Sequence, residues 1–270
     1  MNLDLDALRA RLPVRPLSRF APSPTGYLHL GHVVNALCVW DVARALGGRV
    51  LLRIEDHDRL RSRPEYERAL LEDLAWLGFG ADAGTVRQSD EPQAYEDALA
   101  RLAASHRVYA CDCSRKEIAV ERYPGRCRGR GLAIAPGRGV RVEIEPGVER
   151  FNDARLGWQE QDPASQCGDL LLRDRDGFWT YQFAVTVDDI RQGVDLVIRG
   201  EDLLSSTGRQ IRLARMLGRA VPPMFLHHAL LLKQTGEKLS KSSGDTGIRE
   251  LRAAGVSAAA ALDMAQRVLS

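Results

Sequence analysis

The sequence predicts an α/β fold, a doubly wound parallel sheet interrupted by an inserted subdomain. Three observations predict it. Short apolar strands alternate with helical runs, first across residues 17–104 and again across 186–235. Several of these strands end in charged or glycine-bearing turns, the edge at which open parallel sheets bind ligands. Between residues 105 and 185 the texture changes to clustered cysteine, arginine and glycine.

Leu17 to Ala21 is a short apolar strand, broken by Pro22 and Pro24 and turned at Gly26. His29 and His32 follow, then a helical run from Val33 to Leu46 that stops at Gly47-Gly48. Strand, turn and helix aim free N–H groups and a positive dipole end at an anion. Gly31 keeps side chains out of the way. Spaced by three, the two imidazoles share one face of the helix start and can donate to phosphate oxygens. An ordinary surface turn before a core helix has the same spacing.

Arg49 to Ile54 reads as a buried strand with Glu55-Asp56-His57-Asp58 at its carboxyl end. Pro64–Leu77 and Pro92–Ala104 are amphipathic helices, separated by a loop from Ala81 to Asp90. Arg141 to Glu145 alternates as a half-buried strand. Gly168 to Asp189 reads as a strand, an Asp176-Gly177 turn, and a second strand or helix start. Val194 to Ile198 is a buried strand, with Arg199-Gly-Glu-Asp202 at its carboxyl end and a helix from Leu203 to Leu217 behind it. Glu201 and Asp202 either cap that helix or position ATP, and capping is the expectation. Met224 to Leu232 is one more strand, leading into a lysine-bearing loop that reaches Ser242.

The composition, 44% hydrophobic and 27% charged over 270 residues, provides ample core. A net charge of +2 neither demands nor excludes a nucleic-acid partner. No apolar run approaches the roughly 20 residues of a membrane span. Met1 to Leu12 lacks a signal peptide's apolar centre, so the expectation is a cytoplasmic protein without membrane contact. Five cysteines, three of them within residues 111–127, are not a secreted disulfide framework. Cys111, Cys113 and Cys127 are either zinc ligands or three reduced thiols; Tyr123, Asp112 and His106 are candidate fourth ligands. Cys38 and Cys167 read as inert. Arg126, Arg128, Arg130, Arg138 and Arg141 form a local basic run, either solvated or facing RNA phosphates.

Arg19-Phe-Ala-Pro-Ser-Pro-Thr-Gly26 with His29-Leu-Gly-His32 resembles the HIGH-type ATP signature of class I aminoacyl-tRNA synthetases, in their glutamyl branch. Ile198-Arg-Gly-Glu-Asp202 and Lys238-Leu-Ser-Lys-Ser242, the KMSKS-type signature, complete the resemblance over roughly residues 17–245. It implies a Rossmann-like core interrupted by a zinc-bearing subdomain. The core would be 17–104 with 186–235, the acceptor-binding insertion 105–185, and the signature loop and helical tail 236–270. The 28 residues after Ser242 are too few for an anticodon-binding domain.

The resemblance also implies roles. His29, His32 and Lys241 would be catalytic, and Gly31, Lys238 and Ser240 would join them in binding ATP with Mg²⁺. Arg19, Phe20, Ala21, Pro22, Ser23, Glu55, Tyr181 and Arg199 would hold L-glutamate, Glu55 taking its ammonium. Cys-x-Cys followed by Tyr-x-x-x-Cys is similar to the zinc motif of the small glutamyl-synthetase paralogues that glutamylate queuosine in tRNA(Asp). That implies one structural Zn²⁺ on Cys111, Cys113, Tyr123 and Cys127. The expectation is a monomer that forms glutamyl-adenylate and acylates queuosine-containing tRNA(Asp). An ordinary truncated glutamyl-tRNA synthetase charging a 3′ end, or a silent RNA-binding homologue, is the alternative.

Overall fold

The computed structural model describes residues 3–114, 117, 122–230, 247–267 and 269. A short helix, Leu5–Arg9 (α1), is capped by the Asp4 carboxylate. Leu17–Phe20 (β1) then enters the centre of the molecule, buried along its whole length. Leu30–Ala45 (α2) returns the chain to Arg49–Ile54 (β2), parallel to β1. Pro64–Trp76 (α3) leads to Thr85–Arg87 (β3), parallel to β2. Pro92–Ser105 (α4) carries the chain to Val108–Cys111 (β4), which pairs antiparallel with Gly139–Val142 (β5).

Glu149–Asp153 (β6) and Gly157–Gln161 (β7) form a hairpin, and Pro163–Gln166 (α5) precedes Leu170–Arg173 (β8). Tyr181–Arg191 (α6) leads back to the first sheet at Leu196–Gly200 (β9). A 3-10 turn, Glu201–Ser206, runs into Thr207–Met216 (α7), and Met224–His228 (β10) follows. Ile248–Ala253 (α8) and Ala258–Gln266 (α9) end the described chain.

The large sheet has the order β3-β2-β1-β9-β10-β6-β7, parallel except for β7; the small sheet is β4-β5-β8. The strand order reverses between β1 and β9. That switch point opens a crevice at the carboxyl edge, the position where such sheets bind ligands. Helix α2 is apolar on nearly every face because it is covered twice. The sheet lies on one side and α9 on the other, where Ala261 and Ala265, one helical turn apart, let the backbones approach. A second core joins Leu99 and Leu102 of α4 to Val140 and Leu172 of the small sheet and to Phe183 of α6.

The expected α/β fold with a mostly parallel sheet is present, and its details differ in three places. The loop expected from Ala81 to Asp90 contains β3, three residues with little apolar pattern at the sheet edge. Residues 149–161, within the range expected to be the insertion, instead complete the large sheet, with Phe151 and Phe225 packed edge to face. Of the strand or helix start expected after Asp176-Gly177, the helix start is found, as α6 with Tyr181 its first residue. Glu201 caps nothing: its carboxylate goes to Arg155, and the Glu201–Ser206 turn begins without a side-chain cap.

Candidate active site

The crevice starts from the beginning of α2, which opens at Leu30, three residues before the expected Val33. His29 is the N-cap. Its Nδ1 accepts the Gly31 N–H at 3.1 Å, while His32 Nδ1 accepts the His29 N–H at 3.1 Å. Each backbone bond occupies a ring nitrogen as acceptor, so the neutral imidazoles carry their protons on Nε2. The rings lie 3.9 Å apart. Gly31 serves this arrangement more directly than it serves a ligand. A Cβ there would meet the His29 ring at 2.9 Å. A cavity of about 270 Å³ adjoins the pair, lined also by Asn35, Arg199, Asp202 and His228.

Beside it lies a buried network of charge. Arg19 on β1 donates through Nε to Asp189 at 3.1 Å and reaches the Ile198 carbonyl at 3.4 Å. Arg53, fully buried on β2, donates to Asp189 at 2.7 Å and to Glu55 Oε1 at 3.0 and 3.3 Å. Asp189 thus sits between two guanidinium groups. Burial alone would raise its carboxyl; Arg19 and Arg53 outweigh this and hold it below the usual range. Glu55 is itself 3% exposed, and its N–H is held by the Pro22 carbonyl at 3.0 Å.

Arg199 differs from both other arginines. It is 3% exposed, and the groups that accept its hydrogen bonds among the described residues are neutral: His227 Nε2 at 3.1 Å, Gln210 Oε1 at 2.7 Å and Thr207 Oγ1 at 2.8 Å. Tyr181 lies beside it. A buried cation held by neutral oxygens and an imidazole is the half of an ion pair that a ligand completes.

Of the other residues expected around glutamate, Phe20 turns its ring into the core against Trp40, at 5.3 Å, so only its backbone faces the crevice. Ala21 and Ser23 are partly exposed and Pro22 is buried in the turn. Lys238, Ser240 and Lys241 lie outside the described residues.

The cysteines converge in the small sheet's corner. The sulfurs of Cys111, Cys113 and Cys127 lie within 4.8 Å of one another, all three residues buried. The Tyr123 phenol oxygen is 3.4 Å from Cys111 Sγ and 4.0 Å from Cys113 Sγ, and it accepts the Cys127 N–H at 3.0 Å. Sulfurs around a tetrahedral ion of zinc's size stand roughly 3.8 Å apart, so the donor set fits such an ion. Gly168 lets Tyr123 reach the three sulfurs. At φ +68° it lets the Tyr123 backbone pass so close that a Cβ would lie 2.1 Å from the Tyr123 carbonyl oxygen.

Of the other fourth-ligand candidates, His106 is engaged with the Met216 carbonyl, whereas Asp112 Oδ1 both pairs with Arg130 and accepts from the Cys127 thiol at 3.3 Å, at the rim of the cluster. Most of the expected basic run is also committed internally. Arg141 is buried with its guanidinium stacked 3.7 Å over the Tyr123 ring, and Arg128 and Arg130 pair with Asp169 and Asp112. Cys38 and Cys167 are buried or half-buried away from the cluster, and burial pushes the Cys38 thiol up to about 12.

Residues 16–130 and 139–268 match the class I tRNA synthetase (E and Q) catalytic domain. A glutamyl-Q tRNA(Asp) synthetase from Rhodobacter capsulatus is 40% identical over 90% of this chain and 97% of its own length. One from Burkholderia mallei is 47% identical over 84% of this chain and 80% of its own. The chain belongs to the glutamyl-Q tRNA(Asp) synthetase family. Its fold is also that of the glutamate-tRNA synthetase from Elizabethkingia anophelis, with 29% identity and a TM-score of 0.74. The match covers 85% of this chain and about half, 53%, of that enzyme. Membership in the family makes the chain a ligase of the class I tRNA synthetase type.

Arg53, Asp153, Asp189, Thr207, Gln210 and His227 were not legible as site residues. The signals were present: Arg53 is a charge inside the buried apolar part of β2, and His227 lies near the end of another buried strand. Asp189 lies in the last turn of α6, just after a run of buried, mostly apolar residues. Charge inside an apolar run marks burial with a partner, but the partner is named only by the fold.

Proposed function

We propose that the chain activates L-glutamate with ATP as glutamyl-adenylate and transfers the glutamate to the queuosine base of tRNA(Asp). The observation that carries the first step is Arg199, a buried cation among neutral partners, opening into the cavity that His29 and His32 adjoin. A substrate carboxylate supplies the missing anion. Glu55, at the edge of the neighbouring strand, takes the ammonium group. Arg19 and Tyr181 line the rest of the amino-acid site, with the backbone of Phe20 to Ser23.

The glutamate α-carboxylate oxygen attacks the α-phosphorus of ATP in line, and pyrophosphate leaves. His29 and His32 donate through Nε2 to the phosphate oxygens, where negative charge grows. Lys241, with Lys238 and Ser240, serves the leaving pyrophosphate, a role drawn from the signature they form. Mg²⁺, when bound with ATP, neutralises phosphate charge. Most of the acceleration comes from holding carboxylate and phosphorus in register. A hydroxyl of the cyclopentenediol on queuosine then attacks the carbonyl carbon of the adenylate; the ester forms, the mixed-anhydride C–O bond breaks, AMP leaves and the hydroxyl proton is released.

The acceptor is supported by the relatives that match over most of their own length and carry glutamyl-Q tRNA(Asp) synthetase as their name. Residues 105–185 are read as the acceptor-facing part, excepting the strands that join the large sheet. One Zn²⁺ held by Cys111, Cys113, Cys127 and Tyr123 would fasten that part together. Pyrophosphate exchange tests the first step. Purified chain with ATP and Mg²⁺ exchanges labelled pyrophosphate into ATP when glutamate is added, without RNA. Exchange with a different amino acid, or with none, contradicts the reading.

A further inference from the structure

We propose that Asp153 and His227 form a positioning pair, which holds Arg199 in the geometry that grips the amino-acid carboxylate. The inference rests on reading Arg199 as the group that takes that carboxylate. Asp153 closes β6 and is 1% exposed; His227 lies on the next strand of the sheet, β10, and is fully buried. Asp153 Oδ1 accepts the N–H groups of Arg155 and Leu156 at 3.0 and 2.9 Å. Its Oδ2 accepts two donors from one residue, His227 N–H at 3.1 Å and His227 Nδ1–H at 2.7 Å.

The second of those bonds decides the tautomer. With its proton on Nδ1, a neutral imidazole has a bare Nε2. That nitrogen faces Arg199 Nε–H at 3.1 Å. Thr207 Oγ1 stands 3.2 Å from the same nitrogen while accepting from Arg199 Nη2, so its own hydroxyl hydrogen is free to point at His227. A guanidinium has five N–H donors. Three are held by His227, Gln210 and Thr207, which fixes the plane and leaves at most two, both on the Nη atoms, for a ligand. Gln210 and Thr207 do not titrate. Nε therefore depends on a group two bonds away, Asp153.

The alternative state is unfavourable. An imidazolium would aim Nε2–H at Arg199 Nε–H, and the pair would repel. Among the described residues, the charged or titratable groups around His227 are Asp153 from β6, Arg155 just beyond it, Arg199 from β9, Arg19 from β1 and the adjacent His228. Asp153 is the one acid among them. Burial first, with Arg199 and Arg19 adding to it, outweighs Asp153 and keeps His227 below the ordinary histidine range. The imidazole is thus neutral near pH 7. This also gives the β6 strand a role in the site: it brings the carboxylate that sets the tautomer.

The test is glutamate-dependent pyrophosphate exchange, with KM for glutamate and for ATP measured separately between pH 5 and 8. His227→Gln and Asp153→Asn each raise the glutamate KM about 10-fold or more, the loss expected of a hydrogen bond to a charged group. The ATP KM stays within about twofold and the melting temperature shows that both variants are folded. In the wild-type chain, glutamate KM rises as pH falls below the ordinary histidine range, and His227→Gln removes that limb. Asp153→Asn keeps the side-chain shape but presents an amide donor to Nδ1, so the double variant is no worse than the worse single one.

A glutamate KM unchanged in His227→Gln, or strictly additive losses with ATP KM rising in step, overturns the pair. Wild-type exchange with glutamate tests the underlying reading by itself. The tautomer is read independently of any substrate by ¹⁵N NMR of the histidine rings. A His227 signal with Nδ1 protonated and Nε2 bare near pH 7 supports the pair, and the opposite tautomer overturns it.

Discussion

Three arginines of the site differ in what already neutralises them. Arg19 and Arg53 share Asp189, while Arg199 has neutral partners. Two predictions follow at this scale. Arg199→Leu loses the ligand's charge partner, so the glutamate KM rises about 100-fold or more while the ATP KM changes little; steady-state exchange checks this. Asp189→Asn takes the acidic partner from buried Arg19 and one of three from buried Arg53, which keeps Glu55 and Asp188, and costs about 3–5 kcal/mol, measured by denaturant unfolding. Asp189 also sets an acid limb. Its folded pKa is depressed, so its stabilisation is complete above the ordinary carboxylate value near 3.9 and is lost as pH falls through the folded value. The wild-type chain loses stability through that acid window, and Asp189→Asn loses less there. Sequence named Arg19 and Arg199 through their motifs. It could not assign their partners, because Asp189 comes from a helix 170 residues away from Arg19.

Single elements place the chemistry, and two glycines control how. In α2, a Cβ on Gly31 would enter the His29 ring, so Gly31→Ala swings that ring away from the helix start. The expected outcome is an ATP KM raised about 10-fold in the exchange assay, with glutamate KM near wild type. In the small sheet, Gly168→Ala has both a left-handed backbone and a Cβ inside the Tyr123 carbonyl. It should displace the phenol from the three sulfurs. Elemental analysis after dialysis against a chelator then finds about one zinc per wild-type chain and less in Gly168→Ala, with glutamate activation retained. Strand and helix runs with clear apolar periodicity, such as β2 and α3, were legible within a residue or two. β3, β6 and β7 were not: β3 has three residues, and the hairpin alternates charge with single aromatics at the sheet's edge. Edge strands bury one side or less, so the sequence has little periodicity to display.

At the scale of the whole molecule, the switch point between β1 and β9 gathers residues from both halves of the chain: Arg19, His29, Glu55, Tyr181, Arg199 and His227. The fold class was legible because strand-ending motifs occur in the order a doubly wound sheet requires. The reach of the insertion was not, since β6 returns to the large sheet through contacts with β10 that local sequence does not encode. Arg128, Arg130 and Arg141 are engaged inside the small subdomain, while Arg126 is exposed. Few phosphates are therefore met from this run, and Arg126→Ala should lower the salt slope of RNA binding by about one, as for a single phosphate contact. The central claim is the pairing of glutamate activation with a queuosine acceptor. Transfer of labelled glutamate to two preparations of tRNA(Asp), one with queuosine and one with guanine at that position, measures it most directly. Labelling of the queuosine-containing RNA alone, in an alkali-sensitive linkage on the base, is the predicted result. Equal labelling of both, or label on the 3′-terminal ribose, would contradict it.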